Sequence, residues 1–358
     1  MVEYLSGNRI QGSSTLTSSP PQTSWKEIGR ATAGSGGSSS LTTSAFTPKE
    51  NMMILYNSIG ADAQIRVGSG GTIDTGGNYA TRYSEDGGTD GAFTSSPHNA
   101  YWFASGGAGA SGSEHGMGFI EGINLSSFEK LFMANHADNA DGTGASNTVG
   151  RYERAMKWAN ASAQINIVRM YSSGTMAEGS EIVVLGCDND EADTGSNFWQ
   201  ELATVELSSA GDSIDISSFT AKKWLFMVWK TDHVSGNTDD IYCKFNGDGN
   251  SNYAYTRDAG SDGNETFTST DKMRIDAANG AYTRDGFMII RNLANKEKIL
   301  YMQDLIENTD GGGAGAAPRY IEACGKWTGS AQISDIELIN QGSGNFKTGS
   351  TMKIYGAD

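Results

Sequence analysis

Two carboxylates recur four residues apart among glycines, in Asp86-Gly87-Gly88-Thr89-Asp90-Gly91 and again in Asp258-Ala259-Gly260-Ser261-Asp262-Gly263. Hard oxygen ligands on a tight loop are what calcium takes, so Asp86, Asp90, Asp258 and Asp262 are candidate calcium ligands. The competing reading is a hairpin turn, which Asp-Gly favours. The turn is the stronger reading, because the ion needs six or more oxygens and only two carboxylates recur. Asp188, Asp190, Glu191 and Asp193 form a second acidic run, which reads first as a solvated linker.

Other chemistries have less to stand on. His98, His115, His136 and His233 are the only histidines. A Ser-His-Asp or Cys-His site needs a placed imidazole, and these read as loop residues, His98 and His115 lying among Gly and Ser. Cys187, Cys243 and Cys324 have neither disulfide nor zinc spacing; Cys187 and Cys324 face Ala357 and Ala155 in the repeat and read as small buried side chains, while Cys243 stands alone. Glu153 precedes Lys157-Trp158 as Glu322 precedes Lys326-Trp327. Positions four apart on a strand share a face, so a Glu–Lys ion pair beside a buried Trp is expected rather than a glycosidase acid, which works with a second carboxylate. Tyr79, Tyr101, Trp102, Tyr253 and Tyr255 lie near turns and could stack on sugar rings, although core or interface packing is the more frequent use of such side chains. Gly34-Ser35-Gly36-Gly37 and Gly311-Gly312-Gly313 lack the Gly-Lys-Ser/Thr of a phosphate loop.

Nearly all of these residues sit in a repeat. Trp25-Lys26-Glu27-Ile28 opens a segment closed by Ile182-Val183-Val184-Leu185-Gly186-Cys187-Asp188, and Trp199-Gln200-Glu201-Leu202 opens one closed by Met352-Lys353-Ile354-Tyr355-Gly356-Ala357-Asp358. Between these ends Asn78-Tyr79-Ala80 matches Asn252-Tyr253-Ala254, and Asn124-Leu125 matches Asn292-Leu293. Glu129-Lys130-Leu131 matches Glu297-Lys298-Ile299, and Ser162-Ala163-Gln164-Ile165 matches Ser330-Ala331-Gln332-Ile333. A period this long exceeds the roughly 20–50 residues of solenoid or propeller units and matches a whole domain. The expected layout is an N-terminal arm over 1–24, domains over 25–188 and 199–358, and an acidic linker over 189–198. The histidines and cysteines do not recur at matched positions, so the duplicated part reads as scaffold.

The elements that must position these residues are strands. Apolar and acidic residues alternate in Ser334-Asp335-Ile336-Glu337-Leu338, the pattern of a half-buried strand. Met52–Tyr56 and Trp224–Trp229 are apolar runs that read as central strands covered on both faces. No stretch carries an amphipathic helical pattern with caps. Gly is 47 of 358 residues, roughly twice the average, and with Ser, Thr, Asn and Asp it supplies turns. The expectation is an all-β chain of two tandem homologous antiparallel β-sandwich domains, jelly-roll-like, with about eight to ten strands each.

A net charge of −16 argues against nucleic-acid binding, which needs clustered Lys and Arg, and against docking to anionic lipid. It fits an extracellular particle kept soluble by self-repulsion. No window approaches the ~20 apolar residues of a spanning helix, so no membrane insertion is expected. Met-Val-Glu-Tyr-Leu-Ser-Gly-Asn-Arg lacks the layout of a secretion signal, so routing by a cleaved signal is not expected.

The Asn-Tyr-Ala landmark with its Gly/Asp turn, the Lys-Trp-x-x-Ser-Ala-Gln-Ile strand, the closing Ile-Val-Val-Leu-Gly-Cys-Asp strand and the leader Leu5-Ser6-Gly7-Asn8-Arg9-Ile10-Gln11-Gly12 resemble repeats in structural proteins of marine tailed phages and related archaeal viruses. The resemblance implies a virion component, such as a capsid decoration, spike or fibre subunit, and no catalytic residues. Function is accordingly expected to be non-enzymatic and without a cofactor, calcium aside. The partners would be further copies, in a trimer, and other virion proteins, on the virion exterior and extracellular after release. The other expectations are a host-receptor adhesin that binds glycans, a cell-surface filament or sheath subunit and, last, a polysaccharide depolymerase.

Overall fold

The computed structural model describes residues 25–94, 102–103, 115–139, 142–188, 197–233, 239–258, 263–278, 282–307, 318–341 and 344–358. The expected arm and most of the expected linker, 189–196, lie outside the described residues. The chain divides into two compact units, Met1–Gly142 with Gly150–Phe198, and Thr143–Val149 with Trp199–Asp358. Among the described residues no helix is long and apolar enough to cross a membrane.

The first unit is built from β1 (Lys26–Thr32), β2 (Ser38–Thr42), β3 (Asn51–Ile59), β4 (Gln64–Ser69), β5 (Thr72–Ile73), β6 (Tyr79–Glu85), β7 (Gly91–Phe93), β8 (Trp102–Phe103), β9 (His115–Ile123), β10 (Lys130–Asp138), β11 (Gly150–Trp158), β12 (Ile167–Met176) and β13 (Glu181–Cys187). An eight-stranded sheet runs β1-β13-β3-β9-β10-β11-β6-β7, and a smaller one runs β2-β12-β4-β5 with β8 on β4. The second unit contains β14 (Gln200–Glu206), β15 (Ser213–Ile216), β16 (Trp224–Thr231), β17 (Asp239–Phe245), β18 (Tyr253–Asp258), β19 (Asn264–Thr270), β20 (Met273–Ala278), β21 (Arg284–Arg291), β22 (Lys298–Ile306), β23 (Arg319–Trp327), β24 (Ile336–Asn340) and β25 (Thr351–Ala357). Its sheets run β14-β25-β16-β21-β22-β23-β18-β19 and β15-β24-β17-β20. The large sheets match strand for strand, and every pairing in the four sheets is antiparallel. The two tandem sandwiches expected from the repeat are therefore present. They hold more strands than turn spacing suggests, because short pieces such as β5, β7 and β8 leave no apolar run to read.

Each sandwich closes on a core between its sheets. In the first unit Ile54, Ile120 and Val184 of the large sheet meet Ile65, Val67, Val168 and Met170 of the small one. In the second, Met227, Met288, Leu300 and Met352 meet Ile214, Ile336 and Leu338. Burying each such side chain is worth about 1.5–3 kcal/mol. β3 and β16 lie inside the sheets, and Met52–Ile59 and Trp224–Met227 are buried throughout. β24 alternates buried and half-buried residues, as its period of two requires.

The first strands carry the same irregularity. The β1–β13 register shifts between Glu27 and Gly29, and the β14–β25 register between Glu201 and Ala203. The bulge presses Ile28 and Leu202 toward Gly186 and Gly356. A Cβ on Gly186 would meet Ile28 Cδ1 at 2.8 Å, and one on Gly356 would meet Leu202 Cδ1 at 2.6 Å. Gly186 is thus a point of close packing within β13.

Candidate functional site

The sequence candidates fall mostly into the scaffold. Asp86 to Gly91 links β6 to β7 as a hairpin, with Asp86 at φ 47°. Asp86 accepts the Arg151 N–H at 2.8 Å, and Asp90 lies 3.5 Å from Arg82. Asp258 ends β18 opposite Asn264, and Asp262 lies outside the described residues. Among the described residues no three His, Cys, Asp or Glu groups gather as a metal site. Of the second acidic run only Asp188 is described, and it pairs with Lys49 at 2.8 Å.

The sugar-platform reading fails for Tyr79, Tyr253 and Tyr255, which are at most 2% exposed. Each points into its sandwich, where ring burial outweighs the cost of tying down one hydroxyl. Tyr79 donates to the Val67 carbonyl and accepts the Val67 N–H, and Tyr253 accepts the Phe245 N–H. Tyr101 lies outside the described residues, as does the side chain of Trp102. The histidines also differ from expectation. His115 and His136 lie in strands, and His115, His136 and His233 are all buried. His136 lies 3.1 Å from the Tyr56 hydroxyl and 3.2 Å from Asp138. Burial lowers its pKa, against an opposing pull from Asp138. Burial first and Arg284 second push His233 down to about 3. Cys187, Cys243 and Cys324 are free and buried.

Glu153, Lys157 and Glu322 each take a partner other than the expected one. Four residues along a strand span about 13 Å, so sharing a face does not bring two side chains together. Glu153 instead reaches Arg151, and Lys157 reaches Glu129 at 3.4 Å. Glu322 is buried against the Tyr301 hydroxyl.

What the repeated residues do is lock loops to strands. Asp74 accepts the Trp158 indole N–H and the Asn78 amide, both at 2.8 Å, together with the Gly76 N–H. Asp248 does the same with Trp327, Asn252 and the Asn250 N–H. Partial burial pulls both carboxyls up, but these donors outweigh it and hold them below the ordinary range. Asn124 bonds the Ile165 N–H and carbonyl and the Lys49 carbonyl, and Asn292 does so with Ile333 and Lys222. Lys130 and Lys298 are fully buried. They donate to backbone carbonyls and lie 5.8 and 5.5 Å from the rings of Trp158 and Trp327. Burial lowers the Lys130 pKa and pushes Lys298 down to about 8. Asp74 and Asp248 are the members that the sequence reading missed. Each stands four residues before its Asn-Tyr pair, a repeated spacing that was there to be read.

A sizeable opening lies elsewhere, on the face of the first unit's large sheet that points away from the sandwich core. It is a groove of about 750 Å³ across β9, β10, β11, β6 and β7. Large apolar side chains stand in the open there, with Ile123 60%, Phe128 65%, Leu131 65% and Met133 64% exposed. Ala80, Ala92 and Ala155 form a low floor beside them. Glu121 stands at one side, half-buried, and its Oε2 has no hydrogen-bond partner among the described residues. Burial pushes its carboxyl above the ordinary range. Arg82 stands across the groove with its side chain 65% exposed. Sequence reading missed this site because the exposed residues belong to ordinary strand patterns, and a pattern does not say which face is covered.

No family model matches the chain, and no curated protein does. Among solved structures it is similar to domains LG4-5 of the mouse laminin alpha1 chain, at 10% identity and a TM-score of 0.19, over 91% of this chain and 88% of that one. It is also similar to the translocator domain of autotransporter NalP from Neisseria meningitidis, at 9% identity and a TM-score of 0.10, over 86% and 88% of the two chains. At such TM-scores neither likeness carries an argument about fold or function.

Proposed function

We propose that the protein is a non-enzymatic structural subunit. It assembles by burying the exposed face of its first sandwich against another protein, on the exterior of a virion as a capsid decoration, spike or fibre component. The observation that carries the docking role is the cluster of Ile123, Phe128, Leu131 and Met133 on rigid, paired strands and the loop beside them. Contiguous large apolar side chains in the open mark interaction surfaces, and a preformed sheet face loses little freedom on binding. The repeated polar residues support the same reading, since they are engaged in loop locks rather than turned toward a substrate. The virion setting rests on the resemblance of the repeat landmarks. The sugar-binding alternative has lost Tyr79, Tyr253 and Tyr255 to the cores.

The test is incorporation. Particles produced with Leu131→Asp/Met133→Asp protein should lack the subunit, measured by quantitative mass spectrometry of purified virions. Incorporation at the wild-type copy number would overturn the docking role. Absence of the wild-type protein from purified particles would overturn the setting.

A further inference from the structure

The exposed face of the first large sheet is ordered in rows, because register partners on neighbouring strands point the same way. One row is fixed by the pairings Met133↔Glu121, Met133↔Ala155 and Ala155↔Arg82. Read across the sheet it is Glu121, Met133, Ala155, Arg82: acid, large, small, base. The next row carries Leu131 opposite Lys157 and Lys157 opposite Ala80, with Ile123 on the far side of Leu131.

Such a row is complementary to itself. Consider a two-fold axis lying in the interface, parallel to the strands and between β10 and β11. A second copy turned about it presents each row in reverse. Glu121 then meets Arg82 of the second copy, and Met133 fills the space over its Ala155. In the next row Ile123 covers Ala80, and Leu131 lies along the aliphatic stem of Lys157. Acid and base are about 14 Å apart on one copy, three strand spacings, so they cannot neutralise each other within it. Across the axis each acid finds a base, and Glu121 Oε2 gains a partner that the described residues do not supply.

We propose that this face is a two-fold interface between two copies of this chain. The inference rests on the docking role proposed above and names its partner. A foreign protein would need no row that reads as its own complement. The equivalent row of the second unit is Ile289, Tyr301, Cys324, Thr256, which keeps neither charge. An interface of this kind is isologous and closes at two copies, so a trimer needs other surfaces.

The experiment is analytical ultracentrifugation of the full chain over a concentration series, with circular dichroism melts to show that each variant is folded. The wild type should sediment as a dimer and Met133→Asp as a monomer. Arg82→Glu, at an exposed position, sets Glu against Glu121 and should raise the dissociation constant about tenfold or more. The exchange Glu121→Arg with Arg82→Glu should restore it to within about threefold, because the row remains self-complementary. A wild-type monomer at about 100 µM, well above useful affinities, would overturn the proposal. So would a trimer, a dimer indifferent to both Met133→Asp and Arg82→Glu, or a dimer lost on deleting residues 1–24, which would make the arm the occupant. If the wild type is a monomer yet Leu131→Asp/Met133→Asp protein is still lost from particles, the two-fold partner is wrong and the docking role stands.

Discussion

Leu131 and Ile299 hold the same place on the same strand of two matching sheets, yet Leu131 is 65% exposed and Ile299 is fully buried. The contrast extends around them. Met133, Glu121 and Ala155 border an open groove in the first unit. Their counterparts Tyr301, Ile289 and Cys324 are buried in the second, and Tyr301 is tied to Glu322 and Gln303. The cores diverge too. Tyr56, His136, Asp138 and Arg154 form a buried polar group in the first unit. The second has Trp229 bonded to Asp304 at 3.0 Å, with Ile306 and Ala323 beside them. Shared residues hold the loops, while Leu131/Ile299, Met133/Tyr301 and Glu121/Ile289 on the outer face are unshared and differ in burial. A duplicated scaffold can diverge in this way because face residues can change without disturbing the register.

The sharpest way to break this comparison is to place a charge at both positions. Ile299→Asp should cost about 4 kcal/mol or more, by burial of an unpaired carboxylate. Leu131→Asp should stay within about 0.5 kcal/mol for the dissociated chain. Urea unfolding reads both, and equal costs would dissolve the distinction.

The shared locks should respond alike. Trp158→Ala and Trp327→Ala should each cost about 3–5 kcal/mol by cavity formation. Asn124→Ala and Asn292→Ala should each cost about 2 kcal/mol through unsatisfied backbone groups. A large cost in only one copy would show that the lock is not a common device.

The smallest effects are pH-dependent and differ in sign. Asp74 and Asp248 have depressed pKa values in the fold. Their contribution is therefore present above the unfolded pKa of about 3.9 and lost as pH falls through the lower folded values. Glu121 has a raised one, so it favours the fold at acid pH, and that contribution is lost as pH rises from about 4.3 through its folded pKa. Glu121→Gln should flatten the dissociated chain's stability within that window, and Asp74→Asn with Asp248→Asn should flatten it below about pH 3.9. Thermal melts between pH 2 and 8 check both signs. A wild-type profile unchanged by Glu121→Gln would show that Glu121 is well solvated.

Much of the scaffold was legible before any coordinates. The alternation in Ile336–Asn340, the apolar runs of β3 and β16, and the repeat itself are local patterns, and side chains alternate between faces whatever the tertiary context. The site was not legible. Tyr79 beside a turn looks the same in sequence whether its ring faces solvent or the core. His115 among glycines gives no sign that β9 begins there. Glu153 and Lys157 share a face, but only the neighbouring strands supply Glu129 for the lysine.

The sequence by itself determined a duplicated all-β chain, the landmarks that recur and the residues that do not. Tertiary structure alone decided that Asp74 meets Trp158, that three tyrosines are core, and that one sheet face lies open beside an acid and a base. The reason is physical. Strand periodicity is set within a few residues, whereas burial, hydrogen-bond partners and pKa depend on strands brought together from distant parts of the chain.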